Sequence, residues 1–249
     1  MPERNSGLQP PTLPTVVRSW WREHLAKEGL SRTLFQFVSV IWQFIRGSTP
    51  GRRRQRYGDV DYDWDHRVDT TSATVSSRDR LLGLLNSPYQ PTEPSLFHEM
   101  AAGLAIHYPE FVFLDIGSGK GRTLLMASDY PFRQIIGVEL LPALHHIAQE
   151  NIRKYKNDLQ KCQNIESICA DARAFEFPAA PTVLYLFNPL SESGLTCLLR
   201  NLRRSLDKNP RPLYVLYHNP LLEETLLRNL ELRKIAATGQ YSVYTNIQA

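Results

Sequence analysis

Cysteine is scarce in this sequence. There are three in 249 residues, Cys162, Cys169 and Cys197, and their spacing contains no CxxC pair and no Cys/His metal pattern. An odd, sparse count points to reduced thiols in a cytoplasmic protein, with side chains that act as small apolar groups. Long apolar runs are also missing. The longest, "LFQFVSVIWQFI" at 34–45, is too short to cross a bilayer as a helix. The first residues, "MPERNSGLQPPTLPT", lack the basic-then-apolar pattern of a signal peptide. Charge of one sign is hardly in excess: 29 Lys and Arg against 25 Asp and Glu give a net +4. Such a surplus permits an acidic partner without demanding one. The length suits one large domain, or one domain with an appendage.

What is present falls into three parts. Residues 1–14 are Pro-rich and expected to form a disordered tail. Residues 15–88 are expected to form a helical extension and linker. Val16, Val17, Trp20, Trp21 and Leu25 share a helical face, with Gly29 suited to the helix end. A second helix is predicted over 31–46. Its apolar residues, Phe35, Phe37, Val38, Ile41, Trp42 and Ile45, spread around much of the circumference and call for burial on the core or on a second copy, ahead of membrane contact. Arg46, Arg52, Arg53, Arg54 and Arg56 follow as a dense basic patch. Residues 31–56 thus offer peripheral contact with an anionic membrane, contact with nucleic acid phosphates (less favoured), or a solvated linker. In "DVDYDWD", Asp59, Asp61, Asp63 and Asp65 alternate with apolar residues, as an extended surface segment requires. The ladder fails the calcium-loop signature, because Trp64 stands where glycine is needed and Thr70 where glutamate is needed, and no metal site is expected.

Residues 89–249 are expected to form the main domain. A helix over "PSLFHEMAAGLAIHY", with Thr92 or Ser95 near its start, precedes strand "FVFLDI". Strands and helices then alternate, which argues for a parallel sheet with helices on both faces. "LELRKIAAT" and "QYSVYTNI" have no helix between them and form a hairpin, so one of the two must run antiparallel to its neighbours.

The sharpest motif is "FLDIGSGKGRTLL", which places Asp115, Gly117, Ser118, Gly119 and Gly121 at a strand-to-helix turn. Glycines let a ligand approach the backbone, and the helix start behind them offers free amides to a negative group. A P-loop fails, because Lys120 is followed by Gly121. The dinucleotide fingerprint G-x-G-x-x-G fails by one residue. Further on, Glu139 ends the second strand, where a carboxylate can accept both hydroxyls of a ribose. Asp171 ends the third, where it can accept from an adenine amino group, with the backbone of Ala172 against the ring.

An acid, a G-x-G-x-G turn and two further strand-end acids resemble class I S-adenosylmethionine (SAM)-dependent methyltransferases. The resemblance covers residues 90–249. It implies a Rossmann-like seven-stranded sheet of order 3-2-1-4-5-7-6, strand 7 antiparallel, with SAM as cofactor. "YQPTEPSLFHEM" is similar to a segment of non-SET protein-lysine methyltransferases, which implies that Tyr89 and Thr92 lie beside the methionine end of SAM; Thr92 is equally suited to cap the following helix. "RVDTTSATV" resembles a segment of related, little-characterised bacterial methyltransferases, which makes Asp69 and Thr70 candidate cleft residues. Asn188 and Pro189, after the fourth strand, match the start of the [DNS]-P-P-[YFW] motif of amine-directed members, so Asn188 is a candidate both for the cofactor and for the acceptor amine. Leu190 and Ser191 depart from that motif and remove the aromatic that would stack on a flipped base. Phe187 is expected to point elsewhere. His218, ending the fifth strand, is a candidate base or a polar strand end. The function expected is methyl transfer to nitrogen, with protein lysine the leading acceptor and a small molecule or RNA the alternative. A non-catalytic SAM-binding scaffold that docks through its N-terminal helices is the reading of another class.

Overall fold

A computed structural model of the chain describes residues 13–47, 60–71 and 90–248. Residues 1–12, the basic patch at 52–56 and Tyr89 lie outside the described residues, while Leu13 and Pro14, expected in the disordered tail, begin the first helix. The chain divides into two compact units, with one boundary between Pro91 and Thr92.

The first unit holds α1 (Leu13–Glu28), α2 (Leu30–Gly47) and α3 (Val60–His66). Gly29, at φ +76°, ends α1 in a left-handed turn, and its N–H reaches the Leu25 carbonyl. Phe37 of α2 packs on Trp20 and Trp21 of α1. Burial is expected around α2; Ile41, Trp42 and Ile45 lie outside the residues whose side chains are described, and several apolar residues before them are exposed. Leu30, Leu34, Phe35 and Val38 are 60%, 46%, 77% and 62% exposed.

From Val60 the Asp ladder is a helix, not an extended segment, and Asp59 lies outside the described residues. Asp61 and Asp63 fall in the first turn of α3, where acids complement the free amides. Tyr62 stacks on His66 one turn later. The Asp63 carboxylate then accepts from the backbone of Thr70 and Thr71 and from the Thr70 hydroxyl, so the turn after the helix closes on its own acid. Alternation of period two cannot show these local bonds, and they decide the outcome. Thr70 is buried in this contact and Asp69 is half-buried beside it.

The second unit is built on a seven-stranded sheet of order β3-β2-β1-β4-β5-β7-β6. In chain order its elements are α4 (Pro94–Ala102), β1 (Val112–Ile116), α5 (Arg122–Ala127), β2 (Gln134–Glu139), α6 (Pro142–Lys154), β3 (Ile165–Cys169), β4 (Thr182–Leu186), α7 (Glu192–Lys208), β5 (Leu213–His218), α8 (Glu223–Asn229), β6 (Arg233–Ala237) and β7 (Tyr241–Thr245). Strands β1 to β5 pair in parallel, and β7 runs antiparallel to both β5 and β6. The helix expected over 94–108 stops at Ala102. Gly103 caps it, and Pro109 sits in a separate 3-10 turn, Tyr108–Glu110. The Thr92 hydroxyl does not cap α4; it bonds elsewhere, as described below.

The central strands β1 and β4 are buried along their whole length, as strands covered on both faces must be. Leu114, Ile116, Leu184, Leu186, Val215 and Tyr217 pack against Leu195, Leu198, Leu199 and Leu202 of α7. The opposite face carries Phe113 and Tyr185 under Phe97 of α4, with ring centroids 5.8 and 6.0 Å from Phe97. Because side chains alternate along a strand, Asp115, paired in register with Tyr185, shares that second face. The sheet order reverses direction between β1 and β4. The crevice beyond their carboxyl ends is where ligands bind in such sheets.

Candidate active site

The Gly-rich turn joins β1 to α5. Gly117, Gly119 and Gly121 have φ of +79°, +55° and +83°. The amides of Gly117 and Ser118 both bond the Val138 carbonyl of β2. At Gly117 a side chain is excluded twice over. Its φ is left-handed, and a Cβ there would lie 2.7 Å from the Cβ of Pro189. The turn after β1 and the Asn188-Pro189 step after β4 are therefore in van der Waals contact across the switch point. Gly137 of β2 makes room in the same way, since a Cβ there would meet the Ser118 Oγ at 2.6 Å. Sequence reasoning missed Gly137, although a glycine inside a strand signals a close approach.

Asp115 is enclosed, 3% exposed, and accepts from the Thr123 hydroxyl of α5. Burial raises its carboxyl to about pKa 7; the Thr123 bond acts against that rise and the Glu139 charge adds to it. Glu139 spans two segments. One oxygen accepts from Gly119 N–H at 2.8 Å and the other from Leu141 N–H at 2.8 Å. The carboxylate thus fixes the Gly-rich turn to the start of α6.

Asp171 opens the 3-10 turn Ala172–Ala174, with Ala172 buried. Its carboxylate is held by Arg173, through the backbone N–H at 2.9 Å and a two-pronged guanidinium contact. Burial pushes this carboxyl up, and the bonds and charge of Arg173 outweigh that and hold it low. An adenine amino group reaches Asp171 only by sharing or displacing that ion pair.

At the ends of β4 and β5 both asparagines adopt left-handed φ, +45° at Asn188 and +48° at Asn219. Asn188 Nδ2 donates to the Asn219 carbonyl at 2.7 Å, and Asn188 Oδ1 accepts from Tyr217 at 3.1 Å. Its side chain ties the two strand ends together. Leu190 packs into the core below, and Ser191 caps α7. Phe187 stacks on His218, with ring centroids 3.8 Å apart and planes at 21°. Burial lowers His218 to about pKa 4, so the ring is neutral at physiological pH. Tyr185, which sequence reasoning did not single out, joins His218 to Thr92.

These groups line the carboxyl end of the sheet: three acids at three successive strand ends, a turn without side chains at its closest approach, and a neutral aromatic wall on β4 and β5. They suit a nucleoside carrying a cationic amino-acid tail. Glu139 and Asp171 stand at this edge at the ends of β2 and β3. Ser118 Oγ is buried beside Gly137 without a partner among the described residues.

The sheet order and this edge site define a Rossmann-like α/β domain of the class I methyltransferase type. Residues 113–209, less than half of the chain, match the family model described as methyltransferase domain. Those residues carry a methyltransferase domain. No curated protein matches the sequence at a significant level. Among solved structures it is similar to an RNA methyltransferase from Salinibacter ruber in complex with S-adenosyl-L-homocysteine, at 20% identity over 63% of this chain and 92% of that one, TM-score 0.43. It is also similar to a ribosomal protein L11 methylase from Lactobacillus delbrueckii subsp. bulgaricus, at 13% identity over 65% and 81%, TM-score 0.45. At this similarity neither relative speaks for the acceptor used here.

Proposed function

We propose that the methyl group goes to an amine nitrogen, with the side chain of a protein lysine as acceptor. The observation that carries this reading is the contact of Pro189 with Gly117, which sets the Asn188-Pro189 step at the switch point beside the Phe187–His218 stack. Bound SAM supplies a methyl carbon made electrophilic by its sulfonium. The Gly117–Gly121 turn would leave room for the amino-acid tail, and Glu139 would hold the ribose. The amine lone pair forms the new C–N bond as the C–S bond breaks, the electron pair stays on sulfur, and the amine proton leaves to solvent. Positioning dominates such a step. A neutral, aromatic wall disfavours an ammonium and so lowers its pKa toward the reactive neutral amine. A flat base is less well served, since Leu190 is a core residue and Phe187 is already stacked. All three thiols are free, which suits a reducing cytoplasm.

The test is transfer of labelled methyl from SAM into a cell lysate, with protein, RNA and small-molecule fractions counted separately. Methyl-lysine in the protein hydrolysate is the expected product; label confined to RNA or small molecules would end the lysine reading. Asn188→Gly keeps the left-handed backbone and removes the side chain. It is expected to leave SAM affinity within about threefold and to lower transfer by about 100-fold, some 3 kcal/mol in the barrier.

A second reading concerns the N-terminal helices. Leu30, Leu34 and Val38 recur one turn apart on α2 with Phe35 beside them, all exposed, and the Arg-rich stretch 46–56 follows in sequence. Apolar side chains next to cationic ones suit peripheral docking on an anionic lipid surface. No helix among the described residues is long and apolar enough to cross a membrane. The full chain is expected to float with phosphatidylserine vesicles and not with phosphatidylcholine vesicles, and Phe35→Asp should weaken flotation. Absence of flotation with either lipid would refute this docking.

A further inference from the structure

Three side chains far apart in sequence meet on the α4 face of the sheet. Thr92 Oγ1 lies 2.7 Å from the Tyr185 hydroxyl, which lies 3.0 Å from His218 Nδ1. Thr92 is 3% and Tyr185 1% exposed. Each hydroxyl has one proton, and burial keeps the tyrosine protonated, its pKa well above the usual 10.

Only one direction of donation satisfies both hydroxyls. Among the described residues the Thr92 hydroxyl has no acceptor except Tyr185. If Tyr185 donated to Thr92, the Thr92 proton would be buried without a partner, at a cost of about 1–3 kcal/mol. If Thr92 donates to Tyr185, Tyr185 is free to donate to His218 Nδ1, and no donor is stranded. Nδ1 is then the bare nitrogen. A neutral imidazole with a bare Nδ1 carries its proton on Nε2. The Phe187 ring covers one face of the imidazole and leaves its edge, with Nε2, as the part able to bond a ligand.

We propose that His218 binds the methyl acceptor as a hydrogen-bond donor through Nε2–H, fixed in that tautomer by the Thr92–Tyr185 hydroxyl chain, and that it does not take up the acceptor's proton. The acceptor therefore carries an oxygen able to receive this bond, as the backbone carbonyls of a lysine-bearing segment do at the far end of the side chain. Thr92 and Tyr185 are positioning residues, and His218 is a binding residue. The inference rests on the methyltransferase reading for what His218 binds, but not for its tautomer.

Two measurements test it. In full-length protein labelled with 15N-histidine and free of SAM, the His218 signals, assigned by their loss in His218→Gln, are expected to show a bare, hydrogen-bonded Nδ1 and a protonated Nε2. Tyr185→Phe should shift the Nδ1 signal and mix the tautomers. A protonated Nδ1 with a bare Nε2 in the wild type would overturn the proposal, whatever the enzyme methylates. In transfer assays His218→Ala is expected to lose about 10- to 100-fold, roughly 1.4–3 kcal/mol in the barrier. His218→Gln places an amide N–H near the Nε2 position and should recover most of the activity that His218→Ala loses. Glutamine cannot take up a proton, so equal loss in both variants would restore a base role and reject the donor.

Discussion

Gly117→Ala is expected to lower the stability of the methyltransferase unit by about 2–5 kcal/mol and to weaken SAM binding at least tenfold, a loss of about 1.4 kcal/mol or more in binding. Two independent costs add. Alanine at φ +79° enters the left-handed region, at about 1–2 kcal/mol. Its Cβ would also stand 2.7 Å from Pro189 Cβ and 3.5 Å from Pro189 Cα. The proline ring cannot swing aside, so the backbone at the β4 end must shift, at about 1–3 kcal/mol for an overpacked contact. Because the same shift displaces Asn188, methyl transfer should fall further than SAM affinity does. Gly239 in the β6–β7 turn is the control. A Cβ there meets nothing within 4 Å, and Gly239→Ala should be close to neutral. Urea denaturation and calorimetry with SAM decide the matter. A Gly117→Ala protein that unfolds and binds SAM like wild type would mean that the turn does not rest on Pro189.

Asp115→Asn is expected to change the pH dependence of stability as strongly as Gly117→Ala changes its magnitude. Burial raises the Asp115 carboxyl from 3.8 to about 7. Below about pH 4 the group is protonated in both folded and unfolded chains, and its contribution is fully present. As pH rises toward 7 the unfolded chain releases the proton while the folded chain keeps it, so stability is lost at about 1.4 kcal/mol per pH unit, roughly 4 kcal/mol in all. Asparagine has no proton to lose. The stability of the variant relative to wild type should therefore climb between pH 4 and 7 and level off above. Parallel profiles for the two proteins would show that Asp115 is not held protonated. SAM carries a sulfonium and an ammonium, and a cation beside Asp115 favours its ionised form. Wild-type affinity for SAM should accordingly rise with pH through 7, and that of Asp115→Asn should be flatter.

The framework of the enzyme was legible because it is written in local, repeated signals. Successive strands carry Asp115, Glu139 and Asp171 at or just beyond their carboxyl ends. A run of three alternating glycines can serve only where backbone turns left-handed or comes close to a partner. The missing helix between the last two strands marks the antiparallel hairpin. Local signals also misled where two periods compete. The Asp ladder at 59–65 reads as extended by its alternation, yet Asp63 bonds the backbone seven and eight residues on and closes a helix. Thr92 has the chemistry of a cap, but a buried tyrosine 93 residues away takes its hydroxyl.

By itself the sequence determined the alternation of elements, the glycine turn and the acids at the strand ends, since each follows from covalent geometry and from burial over a few neighbouring residues. Only the tertiary structure decided what those groups touch. It brought Pro189 against Gly117, committed Asp171 to Arg173, used Asn188 to join β4 to β5, and lined up Thr92, Tyr185 and His218. The reason is physical. A hydrogen-bond donor takes whichever acceptor the sheet order places within about 3 Å, and that order is set by how whole strands and helices bury their apolar faces.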